Sequence, residues 1–174
     1  MGDLLYNDYM NQKQSIEKYE ELILHCLKFG GDSSDGKITK TKLAKLVYLS
    51  DFLFFYENSK PISGMVYKKI DHGPVPYEFF QLYEEMQEKG VISCELKGSA
   101  QLTSLVEDNI PSKYLSKEEI QTIEKVCLEW KDVNTKEIEN FTHNQLPYKI
   151  SYEKDVVPYE LITQLDLKDV FRRG

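Results

Sequence analysis

The stretch Lys42-Leu43-Ala44-Lys45-Leu46-Val47-Tyr48-Leu49-Ser50-Asp51-Phe52-Leu53-Phe54-Phe55-Tyr56 is apolar on nearly every face of a helix. A helix that is hydrophobic all round must be wrapped by other elements, so this one predicts the buried centre of a domain. Only Lys42, Lys45 and Asp51 carry charge within it. Thr39 or Thr41 can cap its start, because a threonine hydroxyl accepts from an early helical N–H. Asn58-Ser59-Lys60-Pro61 ends it near residue 56.

Before this centre, Ile16, Tyr19, Leu22, Ile23, Cys26 and Leu27 recur every three or four residues and predict a helix over 15–29. Gly30-Gly31 stops it, and residues 1–14 form an N-terminal arm. After the centre, residues 65–70 are partly β-like. Asp71-His72-Gly73-Pro74-Val75-Pro76 then predicts a tight irregular turn, since two prolines lack the N–H a strand would use. Pro76 opens a helix over 77–89 with Phe80, Tyr83 and Met86 on one side, and Gly90 ends it. Residues 91–96 and 101–106 alternate about Lys97-Gly98-Ser99, a β-hairpin pattern.

Ser116-Lys117-Glu118-Glu119 is a capping box, followed by the stripe Ile120, Ile123, Val126, Cys127 and Trp130. Thr135 is placed to cap a shorter helix ending near His143. The tail reads as a strand at 150–152 and a short helical piece after Pro158. The fold class is α+β, mainly α: a compact helical domain around a central buried helix with a small antiparallel β-hairpin or sheet. Helix, turn, helix and hairpin is a winged-helix-like order of elements.

The chain has 174 residues, which fits a single domain over 1–174. Its 22 basic and 29 acidic side chains leave a net charge of −7, which argues against a surface built for phosphate backbones. Basic spots at Lys37/Lys40/Lys42/Lys45, Lys68-Lys69 and Arg172-Arg173 read as solvated faces. Twelve Tyr and eight Phe suit either an aromatic core or an interface. Cys26, Cys94 and Cys127 lack C-x-x-C spacing and fit reduced thiols in a cytoplasmic protein. No signal-peptide pattern and no bilayer-length apolar run occurs, so a soluble chain away from the membrane is expected.

Enzyme signatures such as a P-loop, G-x-G-x-x-G, H-E-x-x-H or G-x-S-x-G are absent. The Asp32–Gly36 loop only superficially resembles a calcium loop, because Leu43 stands where the bidentate Glu belongs. No metal, cofactor or catalytic residue is assigned. His25 falls on the polar edge of the first helix. A hydrolase reading would use His72, with Asp71 or Asp51 orienting it, or His143. The plainer alternative is that His72 ties its proline-rich turn to neighbouring backbone and that His143 is a helix-end residue. A transcriptional-regulator reading would use the 77–89 helix to read DNA. Glu78, Glu84, Glu85 and Glu88 against Lys89 oppose that.

Residues 42–51, then Lys60-Pro61-Ile62, then residues 67–76 resemble the Panacea domain of SocA-like, phage-associated antitoxins. The resemblance rests on a K-L-x-K-L-x-Y helix, a proline turn and a G-P-V element before a helix. Phe141-Thr142-His143-Asn144-Gln145-Leu146-Pro147-Tyr148 is similar to the family's closing pattern, and the likeness spans about 19–159. It implies an antitoxin, not an enzyme, that neutralises a cognate protein toxin directly or by delivering it to a cellular protease. Toxic small alarmone synthetases are among the toxins of the family. No appended DNA-binding domain is apparent, so autoregulation by this chain is not expected. Lys42, Lys45, Tyr48, Asp51, His72, Gly73, Pro74, Val75, Tyr77 and His143 are the residues marked as family motif or partner contact. Exposed tyrosines, Gly73-Pro74-Val75 and the helix after them are the expected interface.

Overall fold

The computed structural model describes residues 2–172, with side chains from Met10 onward. Helix α1 runs Gly2–Gly30, strand β1 Ile38–Thr39 and helix α2 Lys40–Asn58. Hairpin β2 (Tyr67–Ile70) and β3 (Gly73–Pro76) precedes α3 (Glu78–Glu88), and hairpin β4 (Ile92–Lys97) and β5 (Ala100–Leu105) follows it. Helices α4 (Lys117–Trp130), α5 (Thr135–Asn144) and α6 (Leu146–Ile150), a 3-10 turn (Tyr159–Gln164) and α7 (Leu167–Val170) complete the chain. The architecture is α+β and mainly α, as the sequence predicts.

Helix α2 is the axis of the molecule. Leu43, Leu46, Val47, Tyr48, Phe52 and Leu53 are buried in it, and α1, α4, α5, β3, β5 and the 3-10 turn all pack against it. Thr39 is the cap: its side chain accepts from the Lys42 N–H, and Ser59 closes the far end in the left-handed conformation. The Ser116/Glu119 capping box forms as predicted at the start of α4.

Several expectations are corrected. The helix predicted over 15–29 begins earlier, at Gly2, because nothing between Asp3 and Gln14 breaks it. Ser15, the predicted first residue of this helix, lies inside it and its hydroxyl donates back to the Asn11 carbonyl at 3.0 Å. Asn134, not Thr135, caps α5, its side chain accepting from the Glu137 N–H. No strand forms at 150–152, since Pro147 starts the short helix α6 there. In α3 the buried stripe is Phe79, Leu82, Tyr83 and Met86, and Phe80 lies at the surface. His25 is buried, held between the Glu21 carbonyl (2.8 Å) and the Ser112 hydroxyl (3.0 Å) because residues 111–116 cross over it.

The largest correction concerns the prolines. Gly73-Pro74-Val75-Pro76 does not interrupt the strand pattern; it is β3, paired antiparallel with β2. Lys68 faces Val75 and Ile70 faces Gly73, while the prolines face Tyr67 and Lys69. Tyr67 and Lys69 turn their own backbone groups to the other side, where they bond residues 154–157. The prolines therefore occupy positions of an edge strand where no N–H is required. A second sheet has the order β1-β5-β4, in which Ile38 pairs with Thr103 and Thr39 with Leu102.

The described tyrosines divide between core and surface. Tyr19, Tyr48, Tyr67 and Tyr83 are fully enclosed, whereas Tyr77 and Tyr152 stand out at the surface. Cys26 and Cys127 are buried thiols, and Cys94 is half-buried. Of the basic spots, Lys37 pairs with Glu95 and Arg172 lies over the Trp130 ring; Arg173 lies outside the described residues.

Candidate functional site

Asp51 sits on the inward face of α2 with its carboxylate fully buried. It accepts from the Ile62 N–H (2.7 Å), the Ser63 N–H (3.0 Å), the Ser63 hydroxyl and the Tyr67 hydroxyl (3.0 Å). The Tyr159 hydroxyl, shared with the Met65 carbonyl, lies 3.1 Å away. Burial pushes the carboxyl above its ordinary range, and these donors pull it back. This arrangement ties α2 to the 61–63 loop, β2 and the 3-10 turn. It is a structural hub with no room for a substrate or for His72.

Lys42 also serves the framework: its ammonium donates to the Val133 carbonyl at 2.7 Å. Tyr48 is packed against Phe52 and Tyr67, and its buried hydroxyl has no hydrogen-bond partner. One turn of α2 from Lys42 the situation changes. Lys45 is only 2% exposed, yet among the described residues no carboxylate lies within ion-pair distance of it and no hydrogen bond satisfies it. Burial lowers its pKa to about 8, with Glu139 opposing the shift through space.

The β2–β3 hairpin explains where this ammonium goes. Gly73 has φ +111°, and the missing side chain leaves the space that the end of Lys45 occupies. His143, at the end of α5, approaches the same α-carbon. Its ring stacks on Tyr148 at 4.4 Å, and its Nε2 is buried without a hydrogen-bond partner, 4.0 Å from a Glu139 oxygen. Burial, then the nearby Lys45 charge, lowers the His143 pKa. A contact with the His72 backbone raises it, so His143 rather than His72 ties the turn to its surroundings. Tyr148 donates to the Ile70 carbonyl at 2.9 Å, and Lys69 donates to the Tyr148 and Ser151 carbonyls, each at 3.0 Å. These bonds hold the hairpin against α6.

Lys45 and Gly73 line a cleft of about 460 Å³ between the start of α2, the β2–β3 hairpin, α3 and the tip of β4–β5. Ala44, Ile70, Val75, Phe79 and Phe80 form apolar walls, with Lys40 and His72 as further basic groups. Lys40 is seated over the Tyr83 ring at 4.1 Å. The fold thus brings Lys45, His72, Gly73, Val75 and His143 together and leaves Lys42, Tyr48 and Asp51 in the framework. Pro74 is buried in β3, and Tyr77 projects from the start of α3 at 79% exposed. Phe79 and Ala100 belong to the cleft but carry no sequence signal beyond their element assignments, and Lys40 stands out in the sequence only as part of a basic spot read as solvated.

Among the described residues, no group of three or more His, Cys, Asp or Glu is placed to hold a metal ion. No helix among them is long and apolar enough to cross a membrane. The family described as antitoxin SocA-like, Panacea domain, matches residues 43–148 of the 174. No curated protein matches the chain, and no solved structure does.

Proposed function

The chain belongs to the SocA-like antitoxins that carry the Panacea domain, and on that footing we propose that it works by binding a cognate protein toxin and holding it inactive. Family membership is the observation that carries this reading. The interface proposed for it is the corner at Tyr77. Buried β3 gives the corner at Tyr77 a rigid base, and Tyr77 with half-exposed Phe80 offers aromatic anchors of the kind that dominate interfaces. A small alarmone synthetase is one class of toxin such a surface would meet. Direct masking of the toxin is the simpler route; delivery to a cellular protease is the other.

The reading is non-catalytic. Asp51 is enclosed and occupied by its donors, His72 is exposed at the cleft rim, and the Glu139 carboxylate stands 4.0 Å from His143, beyond hydrogen-bond reach. The DNA-reading alternative is disfavoured by α3, whose exposed face carries Gln81, Glu84, Gln87 and Glu88. The decisive experiment is co-expression with the toxin encoded beside this chain, followed by co-purification. A stoichiometric complex that restores growth supports the reading. Failure to bind any adjacent gene product, with the folded chain in hand, defeats it.

A further inference from the structure

Lys45 presents an unpaired buried cation at the edge of an apolar cleft. An ammonium removed from water costs several kcal/mol unless something compensates it, and the described residues supply no bonded anion. The chain has 29 acidic side chains, yet none lines the cleft. Glu139 acts on Lys45 only through space, and Lys40 and His72 add basic groups rather than balancing it. Ile70, Val75, Phe79 and Phe80 offer apolar walls to a space of about 460 Å³, the size range of small-molecule clefts.

We propose that this cleft is a binding site for a carboxylate carried on an apolar, ring-sized body, with the Lys45 ammonium pairing the carboxylate and the aromatic and aliphatic walls enclosing the body. A single negative charge matches Lys45, the cleft ammonium among the described residues that has neither an ion pair nor an aromatic ring beneath it. A phosphate dianion would call for a second free donor cation, and Lys40 is already engaged over Tyr83 and Phe80. Gly73 is what opens the position: any side chain there would displace the Lys45 ammonium. His143 Nε2, buried without a hydrogen-bond partner and 4.0 Å from a Glu139 oxygen, lies beside the same glycine.

The carboxylate could belong to a free metabolite or to an acidic residue of a protein partner, and one experiment separates the two. The full chain, ¹⁵N-labelled, is titrated with phenylacetate, its neutral isostere phenylacetamide, and phenyl phosphate, with amide shifts at Ala44, Gly73 and Ala100 followed. Phenylacetate is expected to saturate those shifts with an affinity about tenfold or more above phenylacetamide. Lys45→Met should erase that preference, and Ala100→Phe, which fills the cleft and spares Lys45, should abolish both. Equal binding of the acid and the amide, stronger binding of phenyl phosphate, or no saturable shift with any probe would overturn the proposal. Adding the purified toxin then identifies the source. Displacement of phenylacetate assigns the carboxylate to the partner, and simultaneous binding assigns it to a free ligand. The probe arms need no toxin, so they stand or fall separately from the antitoxin reading.

Discussion

The ammonium of Lys45 is packed against the α-carbon of Gly73, so that a Cβ at position 73 would overlap Nζ and lie 2.8 Å from Cε. Two residues 28 positions apart in sequence thereby share one volume. A buried lysine on the central helix reaches the cleft only because the hairpin has a glycine opposite it. The expected consequences of that arrangement, and of the polar framework beside it, can be measured.

Gly73→Ala should destabilise the fold by about 1–3 kcal/mol, through its positive φ and its clash with Lys45. Denaturant unfolding of the single variants and of Gly73→Ala/Lys45→Ala tests the pairing. The clash disappears when Lys45 is truncated and the backbone strain remains, so a coupling of at least about 0.5 kcal/mol is expected. Strict additivity would show that the two residues do not compete for space.

The Lys45 pKa, lowered to about 8 in the fold against 10.5 in the unfolded chain, links stability to pH. Between those values the unfolded state holds the extra proton, so stability rises with pH, and the penalty is complete below pH 8. The full span is worth at most about 3 kcal/mol. Near pH 10 the slope reverses, because Tyr48 and Tyr67 keep their protons in the core after the unfolded tyrosines lose theirs. Stability curves from neutral to mildly alkaline pH should therefore rise more steeply for the parent chain than for Lys45→Met. Parallel curves would refute a strained charge at this position.

Asp51→Asn should cost about 2–4 kcal/mol, since an amide cannot accept every bond the carboxylate does and turns an N–H toward other donors. The loss should loosen the 61–63 loop and the 3-10 turn together. Thermal unfolding gives the magnitude, and backbone amide shifts at Ile62, Ser63 and Tyr159 report the site. Unchanged stability would mean that Asp51 is already protonated and is not the hub described.

Glu21 accepts from three successive N–H groups, Lys113 (2.7 Å), Tyr114 (2.9 Å) and Leu115 (3.1 Å), and so clamps residues 113–115 to α1. Glu21→Ala strands those donors and should cost about 2–3 kcal/mol. Hydrogen exchange should accelerate first at Lys113, Tyr114 and Leu115, ahead of α2. Acceleration spread evenly over the chain would contradict a local clamp.

Tyr77→Ala should leave stability within about 0.5 kcal/mol, because the ring is mostly solvated. If the corner at α3 is the toxin-binding surface, the same change weakens the complex by about 1–3 kcal/mol. Calorimetric titration of toxin into both proteins reads the difference. Equal affinity would move the interface elsewhere, with the exposed Val66, Ile150, Tyr152 and Val156 next to be mutated.

The amino-acid order alone determined the local features. Helix α2 declared itself through an unbroken apolar surface, α4 through the Ser116/Glu119 box, and the β4–β5 hairpin through alternation about Gly98. Each follows from interactions within a few residues, which is the range over which periodicity and capping act. Lys45, Gly73 and His143 also stand out in the family-like motifs of the sequence.

What the tertiary structure decided is their relation. Two prolines could join β3 only because Tyr67 and Lys69 bond residues 154–157 on their other side, a pairing of segments far apart in the chain. Asp51 became a hub only when Ser63, Tyr67 and Tyr159, the last 108 residues away, were brought to it. Lys45 became a buried cation, rather than one more solvated lysine, only when the β2–β3 hairpin closed over α2. Burial and charge compensation depend on which distant segments meet, and no local pattern encodes that meeting.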